Sequence, residues 1–276
     1  MHSDDPQVNQ RLQSAVRFAR QAGVHTLNYF QRDTYQVSRK ADGSPVTQAD
    51  QETEALLREL ITAEFPEDGI IGEEFPSRTG TTPYRWILDP IDGTKSFISG
   101  VPLYGTLIAV QHNQQSVIGV IEMPALDEQV FAATACGAWH VRHDDPPQRA
   151  NVANDSELAD GLLLTSEFQG WMERGATSAW EQLGTNSWFT RTWGDCYGYL
   201  LVATGRALAM IDPQLNIWDA AAVQVVIQEA GGRFTDWQGR EKIDSGDAIG
   251  TNSGVLDQIL AVTRDAPPLK DTPVKP

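Results

Sequence analysis

Trp86-Ile87-Leu88-Asp89-Pro90-Ile91-Asp92-Gly93-Thr94-Lys95-Ser96-Phe97 decides how the rest of this chain is read. An apolar run with the character of a buried strand ends in two carboxylates three residues apart. A proline separates them, and a glycine and a hydroxyl follow. Pro90 fixes its own φ, so the chain can bend where Asp89 and Asp92 converge on one point. Gly93 allows close backbone approach to a ligand, and Thr94 can begin a helix whose free N–H groups face an anion. Two acids converging beside such a helix start suit a hard cation held between them and a phosphate. Taken alone, the same residues also read as an Asp-Pro turn followed by a capped helix.

Three further stretches bear on that choice. Gly72-Glu73-Glu74 follows Ile70-Ile71, placing acids at the end of another short strand, where a solvated Glu pair is the plain alternative. Ile217-Trp218-Asp219-Ala220-Ala221 sets an acid at the start of a small-residue helix, and Val46-Thr47-Gln48-Ala49-Asp50 sets a hydroxyl and an acid before another. Each is explicable as helix capping. Their joint occurrence in one chain is what favours a cation site.

Around these stretches the periodicity predicts an amphipathic helix carrying Val8, Leu12, Ala15, Val16, Ala19, Ala22 and Leu27. Residues 35–46 read as a polar stretch with Asp42-Gly43-Ser44-Pro45 as turn chemistry. A second helix is expected over 50–64, stopped by Pro66. Short strands are expected at 69–72, 85–89, 104–111, 117–122, 129–133 and 138–141. His143-Asp144-Asp145-Pro146-Pro147 is the best linker, dividing an N-terminal α+β half, 1–145, from a C-terminal α/β half, 146–276. In the second half strands are expected at 162–166, into Arg191 and at 207–211, with helices near 168–182, 196–204 and 220–230. The last helix is apolar nearly all round and closes at Gly231-Gly232, so it should lie between layers. The tail, 267–276, is expected to fray.

At 276 residues the chain has room for two modest domains. Its net charge of −16 argues against nucleic acid or an anionic membrane as partner, because phosphate-backbone affinity comes from clustered Lys and Arg. Cys136 and Cys196 stand in no metal-ligand spacing and fit a reducing compartment. The first residues form no secretory signal, and no apolar run is long enough to span a bilayer, so the expected location is cytoplasmic.

Residues 86–97 match in full the signature Trp-x-x-Asp-Pro-x-Asp-Gly-Thr-x-x-Phe, and the chain thereby resembles the inositol monophosphatase superfamily of metal-dependent phosphatases. The Gly-Glu-Glu at 72–74, the Val-Thr-x-x-Asp at 46–50 and the Trp-Asp-x-Ala-Ala at 218–222 stand in that family's order. The resemblance implies a layered α/β/α/β/α sandwich with the site between the two halves. It implies two or three Mg²⁺ ions. Glu73, Asp89 and the Ile91 carbonyl would hold one, and Asp89, Asp92 and Asp219 a second; a labile third would lie near Glu73. By the same likeness Gly93 and Thr94 bind the phosphate, and Thr94 paired with Asp50, together with Glu73, activates the attacking water. It also makes a homodimer possible. No cysteine or Arg-rich nucleophile loop offers a covalent route instead.

The substrate implied is a small phosphate monoester. Arg191-Thr192-Trp193-Gly194-Asp195-Cys196-Tyr197-Gly198-Tyr199 looks like the corresponding run of histidinol-phosphate phosphatases within that superfamily. Inositol-specific members carry a small or hydroxyl residue at the place of Asp195 and a Glu at that of Asp212. Two acids around the alcohol pocket suit a cationic leaving group, with Arg191 touching the phosphate or bracing the pocket and Asp219 also bordering the substrate. Lys40 is expected to lend charge near the third-metal region or simply to be solvated. The competing readings are an inositol-1-monophosphatase or broad-specificity phosphatase, which would share every metal ligand. From another class comes a catalytically silent, metal-binding regulatory protein.

Overall fold

Asp5 opens the first helix, its carboxylate accepting the Gln7 N–H at 2.8 Å with Pro6 in the first turn. The computed structural model describes residues 5–32, 36–40 and 45–267. In chain order the elements begin α1 (Pro6–Leu27), β1 (Val37–Arg39), β2 (Pro45–Thr47), α2 (Gln48–Glu64), β3 (Gly69–Gly72), β4 (Tyr84–Asp92) and α3 (Thr94–Ile98). There follow β5 (Gly105–His112), β6 (Gln115–Met123), β7 (Glu128–Ala133), β8 (Gly137–Arg142), β9 (Gln148–Arg149) and β10 (Leu162–Leu164). Next come α4 (Phe168–Arg174), α5 (Thr177–Asn186), β11 (Phe189–Arg191), α6 (Cys196–Ala203) and β12 (Ala209–Asp212). The last elements are α7 (Ile217–Glu229), β13 (Arg233–Thr235), β14 (Ala248–Thr251) and α8 (Leu256–Thr263).

Seven strands form one sheet in the order β3-β4-β5-β6-β7-β8-β9, antiparallel except where β3 runs parallel to β4. Successive residues of a strand point to opposite faces, and here both faces are covered. Trp86, Leu88, Ile108, Val110, Ile118 and Val120 pack with α1 and α2. Ile87, Leu107, Ala109, Ile121 and Val130 pack with α6 and α7. That double burial is why 86–88 and 107–110 are unbroken apolar runs. The second sheet, in the order β11-β10-β12-β14-β13, continues the stack. Its Leu162, Leu164, Met210 and Ala248 share the core of α6 and α7, while Leu163, Ala209, Ile211 and Ile249 pack with α4, α5 and α8. The layers therefore run α/β/α/β/α, as the resemblance implies, with α7 buried between two sheets.

That burial rests on one glycine. A Cβ added at Gly119 of β6 would lie 2.2 Å from the carbonyl oxygen of Ala222 on α7. Because the clash is with backbone, only a shift of helix against sheet relieves it. Gly119→Ala is expected to cost about 3 kcal/mol, the upper end of overpacking, and to lower the midpoint of thermal unfolding by about 10 °C. A calorimetric midpoint within 2 °C of wild type would show that the helix can move without loss.

The structure differs from the sequence expectations in several places. The helix expected near 168–182 is two, α4 and α5, parted where Gly175 takes a φ of 74°. Within the polar stretch 35–46, β1 and β2 pair as a small antiparallel ribbon. Residues 42–44 of its expected turn, and the tail from 268 on, lie outside the described residues. The strand expected at 207–211 is Ala209–Asp212, and β9, β13, β14 and α8 had no counterpart in the pattern. No helix among the described residues is long and apolar enough to cross a membrane.

Candidate active site

The end of β4 delivers the acids. Pairing with β5 is regular to Asp89, breaks, and resumes at Asp92. The irregularity between them holds Pro90, which has no N–H for the ladder. Inside it the Ile91 N–H donates to Asp89 Oδ1 at 3.1 Å. From the helix layer between the sheets α7 contributes Asp219, and ligand oxygens of Asp89, Asp92 and Asp219 lie within 4.8 Å of one another. Asp219 is itself fixed as the third residue of its helix, its Oδ2 accepting the Asn216 N–H at 2.6 Å.

Three carboxylates this close strongly disfavour ionisation of one another. Burial, then the charges of Glu73, Asp92 and Asp219, push Asp89 well up. Burial, then Asp195 and Asp219, push Asp92 up against the lowering contact with Cys196. Burial and then Glu73 raise Asp219 to about 7. A divalent cation would compensate such a cluster, and its donors are hard oxygens of the kind Mg²⁺ requires. The Ile91 carbonyl lies 3.2 Å from the Thr94 hydroxyl, whose single proton it shares as alternative acceptor with Asp50, and it keeps a lone pair free.

The turn after the cluster is built as expected. Gly93 adopts a φ of 86° and precedes the short helix α3, a conformation that costs glycine little. Thr94 Oγ1 donates toward Asp50 Oδ1 at 3.3 Å. Asp50 is immobilised by the capping box of α2, its Oδ2 accepting the Thr47 N–H at 2.7 Å and the Thr47 hydroxyl at 2.5 Å. Burial raises its carboxyl to about 6 despite those bonds.

Glu73 stands outside the Asp triangle. Lys40 Nζ lies 2.6 Å from an oxygen of Glu73 and 2.6 Å from one of Glu74, so Lys40 is an ion-pair partner here rather than a solvated side chain. The turn bearing both glutamates is held by Glu54 of α2, whose oxygens accept the N–H groups of Glu74 at 2.7 Å and Phe75 at 3.2 Å. A Cβ at Gly72 would fall 2.1 Å from that carboxylate, which accounts for the glycine of the Gly-Glu-Glu stretch.

The second half of the chain closes over this turn. Asp92 Oδ2 accepts the Cys196 N–H at 2.5 Å. A Cβ at Gly93 would sit 2.8 Å from Asp195 Oδ2, so the Asp195 carboxylate overhangs the glycine turn. Asp212 is less available than its sequence position suggests. It is buried, with Oδ1 accepting the Ser166 N–H at 3.0 Å and Oδ2 the Tyr199 hydroxyl at 3.0 Å. Burial raises it to about 7. Arg191 lies on the edge strand β11, its guanidinium bonded to the Thr190 carbonyl and lying near the rings of Phe189 and Trp193. No hydrogen bond or ion pair among the described residues joins it to the acidic cluster.

Glu54, Ser166, Glu167 and Tyr199 were not singled out from sequence. For Ser166 and Glu167 a signal existed: they end the apolar run Leu162-Leu163-Leu164-Thr165, as Asp89 ends Trp86-Ile87-Leu88.

Comparison with known proteins agrees with this geometry. A histidinol-phosphatase of Chlorobaculum parvum is 41% identical over 249 residues, covering 90% of this chain and 94% of the relative. One of Streptomyces coelicolor is 36% identical over 243 residues, covering 87% and 91%. Among solved structures, the extragenic suppressor protein SuhB of Bartonella henselae superposes with a TM-score of 0.85 at 26% identity, over 93% of this chain and 99% of its own. The profile of the inositol monophosphatase family matches residues 7–266. An acidic triangle at the end of a buried strand, a glycine turn beside it and a five-layer sandwich around both thus coincide with a match along nearly the whole chain, which belongs to the inositol monophosphatase family of phosphatases.

Proposed function

We propose that this phosphatase hydrolyses L-histidinol phosphate to L-histidinol and inorganic phosphate with Mg²⁺. The carrying observation is the Asp195 carboxylate, which overhangs Gly93 where the phosphate would rest. A carboxylate placed beside the phosphate turn attracts a cationic alcohol portion, gains nothing from the charge of a neutral one and repels an anionic one. L-Histidinol phosphate carries an ammonium and an imidazole on that portion. The names of the two curated relatives described above support the same substrate.

Asp89, Asp92, Asp219, the Ile91 carbonyl and Glu73 are the residues we assign to Mg²⁺. When bound, the metal supplies positive charge that neutralises the phosphoryl oxygens and makes water a better nucleophile at neutral pH. The protein's own part is positioning. Gly93 and Thr94 offer backbone N–H groups to the phosphate oxygens. Thr94 directs its hydroxyl hydrogen bond to Asp50 rather than to the Ile91 carbonyl, so its oxygen lone pairs are free to accept from a water and aim it; Glu73 takes a proton from that water. As the water oxygen bonds to phosphorus the ester P–O bond breaks, and the departing alkoxide takes a proton from solvent water. Asp195 holds the ammonium of the leaving group. Asp212 acts through Ser166 and Tyr199, fixing the wall on which Asp195 stands.

Phosphate release with Mg²⁺ tests this, with L-histidinol phosphate, inositol 1-phosphate and 3′-phosphoadenosine 5′-phosphate compared under identical conditions. A preference of about a hundredfold in kcat/KM for L-histidinol phosphate, about 2.7 kcal/mol, is expected and would place the chain in histidine biosynthesis. Similar rates on all three would make it a broad monoesterase. No release from any would favour a regulatory protein that keeps the fold without turnover.

A further inference from the structure

An ion pair spans the mouth of this site. Lys95 directly follows Thr94 on α3, and its Nζ lies 2.8 Å and 2.7 Å from the two oxygens of Glu167, in the connection from β10 to α4. Both side chains face solvent, Lys95 at 64% and Glu167 at 46% exposure. Their backbones are firmly placed. A Cβ at Gly194 would lie 2.3 Å from Ser166 Cα, so the segment bearing Asp195 is pressed against the segment bearing Glu167. The Ser166 N–H is tied to buried Asp212. Asp195 and Glu167 therefore belong to one wall, the first over the phosphate turn and the second outside it. The electrostatics agree: burial chiefly raises the Asp195 carboxyl, Ser166 lowers it, Glu167 raises it further and Lys95 lowers it.

An exposed pair of this kind is worth about 0–1 kcal/mol, so another cation can replace the ammonium of Lys95 at little cost. We propose that Glu167 is a specificity-determining residue that accepts the N–H of the outer of two basic groups on the substrate's alcohol portion, an imidazole in its neutral or protonated form, Lys95 holding the place until it is displaced. This rests on the reading of the substrate as a monoester with a cationic alcohol portion. Such a substrate presents an ammonium near its ester oxygen and, several bonds away, an imidazole that donates a ring N–H and is a cation below about pH 6.5. One carboxylate at the phosphate turn cannot meet both; a second on the same wall can.

The test measures kcat/KM with Mg²⁺ for L-histidinol phosphate and for p-nitrophenyl phosphate, whose leaving group has no cation, in wild type, Glu167→Gln and Lys95→Met. In Glu167→Gln the cationic-to-neutral ratio is expected to fall about threefold to fivefold, about 0.7–1 kcal/mol. The loss should appear mainly in KM, because the contact is remote from the reacting bond. In Lys95→Met, which removes the competitor, the ratio is expected to rise at least threefold. A selective wild type whose ratio survives Glu167→Gln overturns this inference and leaves the proposed substrate standing. A ratio that falls in Lys95→Met also overturns it, since Lys95 would then assist the cation rather than compete with it. A wild type with no preference for the cationic ester overturns the inference and the substrate together.

Discussion

Asp92→Asn should lower kcat/KM about a thousandfold on every phosphate ester while leaving the fold intact. Asp92 lies in the acidic triangle, and its Oδ2 accepts the Cys196 N–H. An asparagine oxygen can still accept that N–H, so the contact between the two halves survives. What is lost is one negative charge where a divalent cation must be held. A thousandfold corresponds to about 4 kcal/mol, within the several kcal/mol a Lewis-acidic metal contributes to a transition state.

A second readout separates this from a mere loss of activity. On the proposed metal assignment, Mg²⁺ added to wild type should raise the midpoint of thermal unfolding as its concentration exceeds Kd. In Asp92→Asn that rise should shrink or vanish. Without metal the order reverses. Asp92 is raised by burial and by like charges, so its ionised form destabilises the fold, and the folded state binds more protons than the unfolded one. Stability of the metal-free wild type should therefore fall as pH rises from the ordinary carboxylate range towards about 7, the value to which Asp219 is raised. Asp92→Asn should be the more stable protein at neutral pH without metal. Unchanged magnesium-dependent turnover in the mutant would remove Asp92 from the metal site.

Much of this arrangement was readable because its causes are local. Residues 86–92 announce a strand by composition, and its end by the proline that interrupts pairing. The capping box at Thr47 and Asp50 lies within one helical turn, so spacing alone points to it. The rest depends on distance in the chain. Glu54 reads as one more polar residue on α2 until the fold brings it under the Gly72 turn. Asp212 reads as a substrate acid until Ser166 and Tyr199 are seen to occupy both its oxygens. β13 and β14 leave no legible pattern because segments of three and four residues carry too little periodicity. The splitting of α4 from α5 turns on one glycine in a left-handed conformation, which a helical pattern does not reveal.

Asp195→Ala should separate substrates where Asp92→Asn does not. On L-histidinol phosphate a loss of about a hundredfold in kcat/KM is expected, because a charge-assisted hydrogen bond is worth about 1.5–3 kcal/mol. On p-nitrophenyl phosphate the loss should be a few-fold, from the disturbance of Ser166 and of the segment over Gly93. Asp195→Asn keeps the shape and discards the charge. If charge is what counts, it should resemble the alanine variant on the cationic ester and wild type on the neutral one. The pH profile adds a sign. Burial foremost raises the Asp195 carboxyl, so its ionised form is gained only above the usual carboxylate range. Wild-type preference for the cationic ester should therefore grow with rising pH until the substrate ammonium itself loses its proton, and in Asp195→Asn that growth should be absent. Equal losses on both esters in Asp195→Ala would make Asp195 a structural support for the turn, and the substrate would then have to be recognised by other residues.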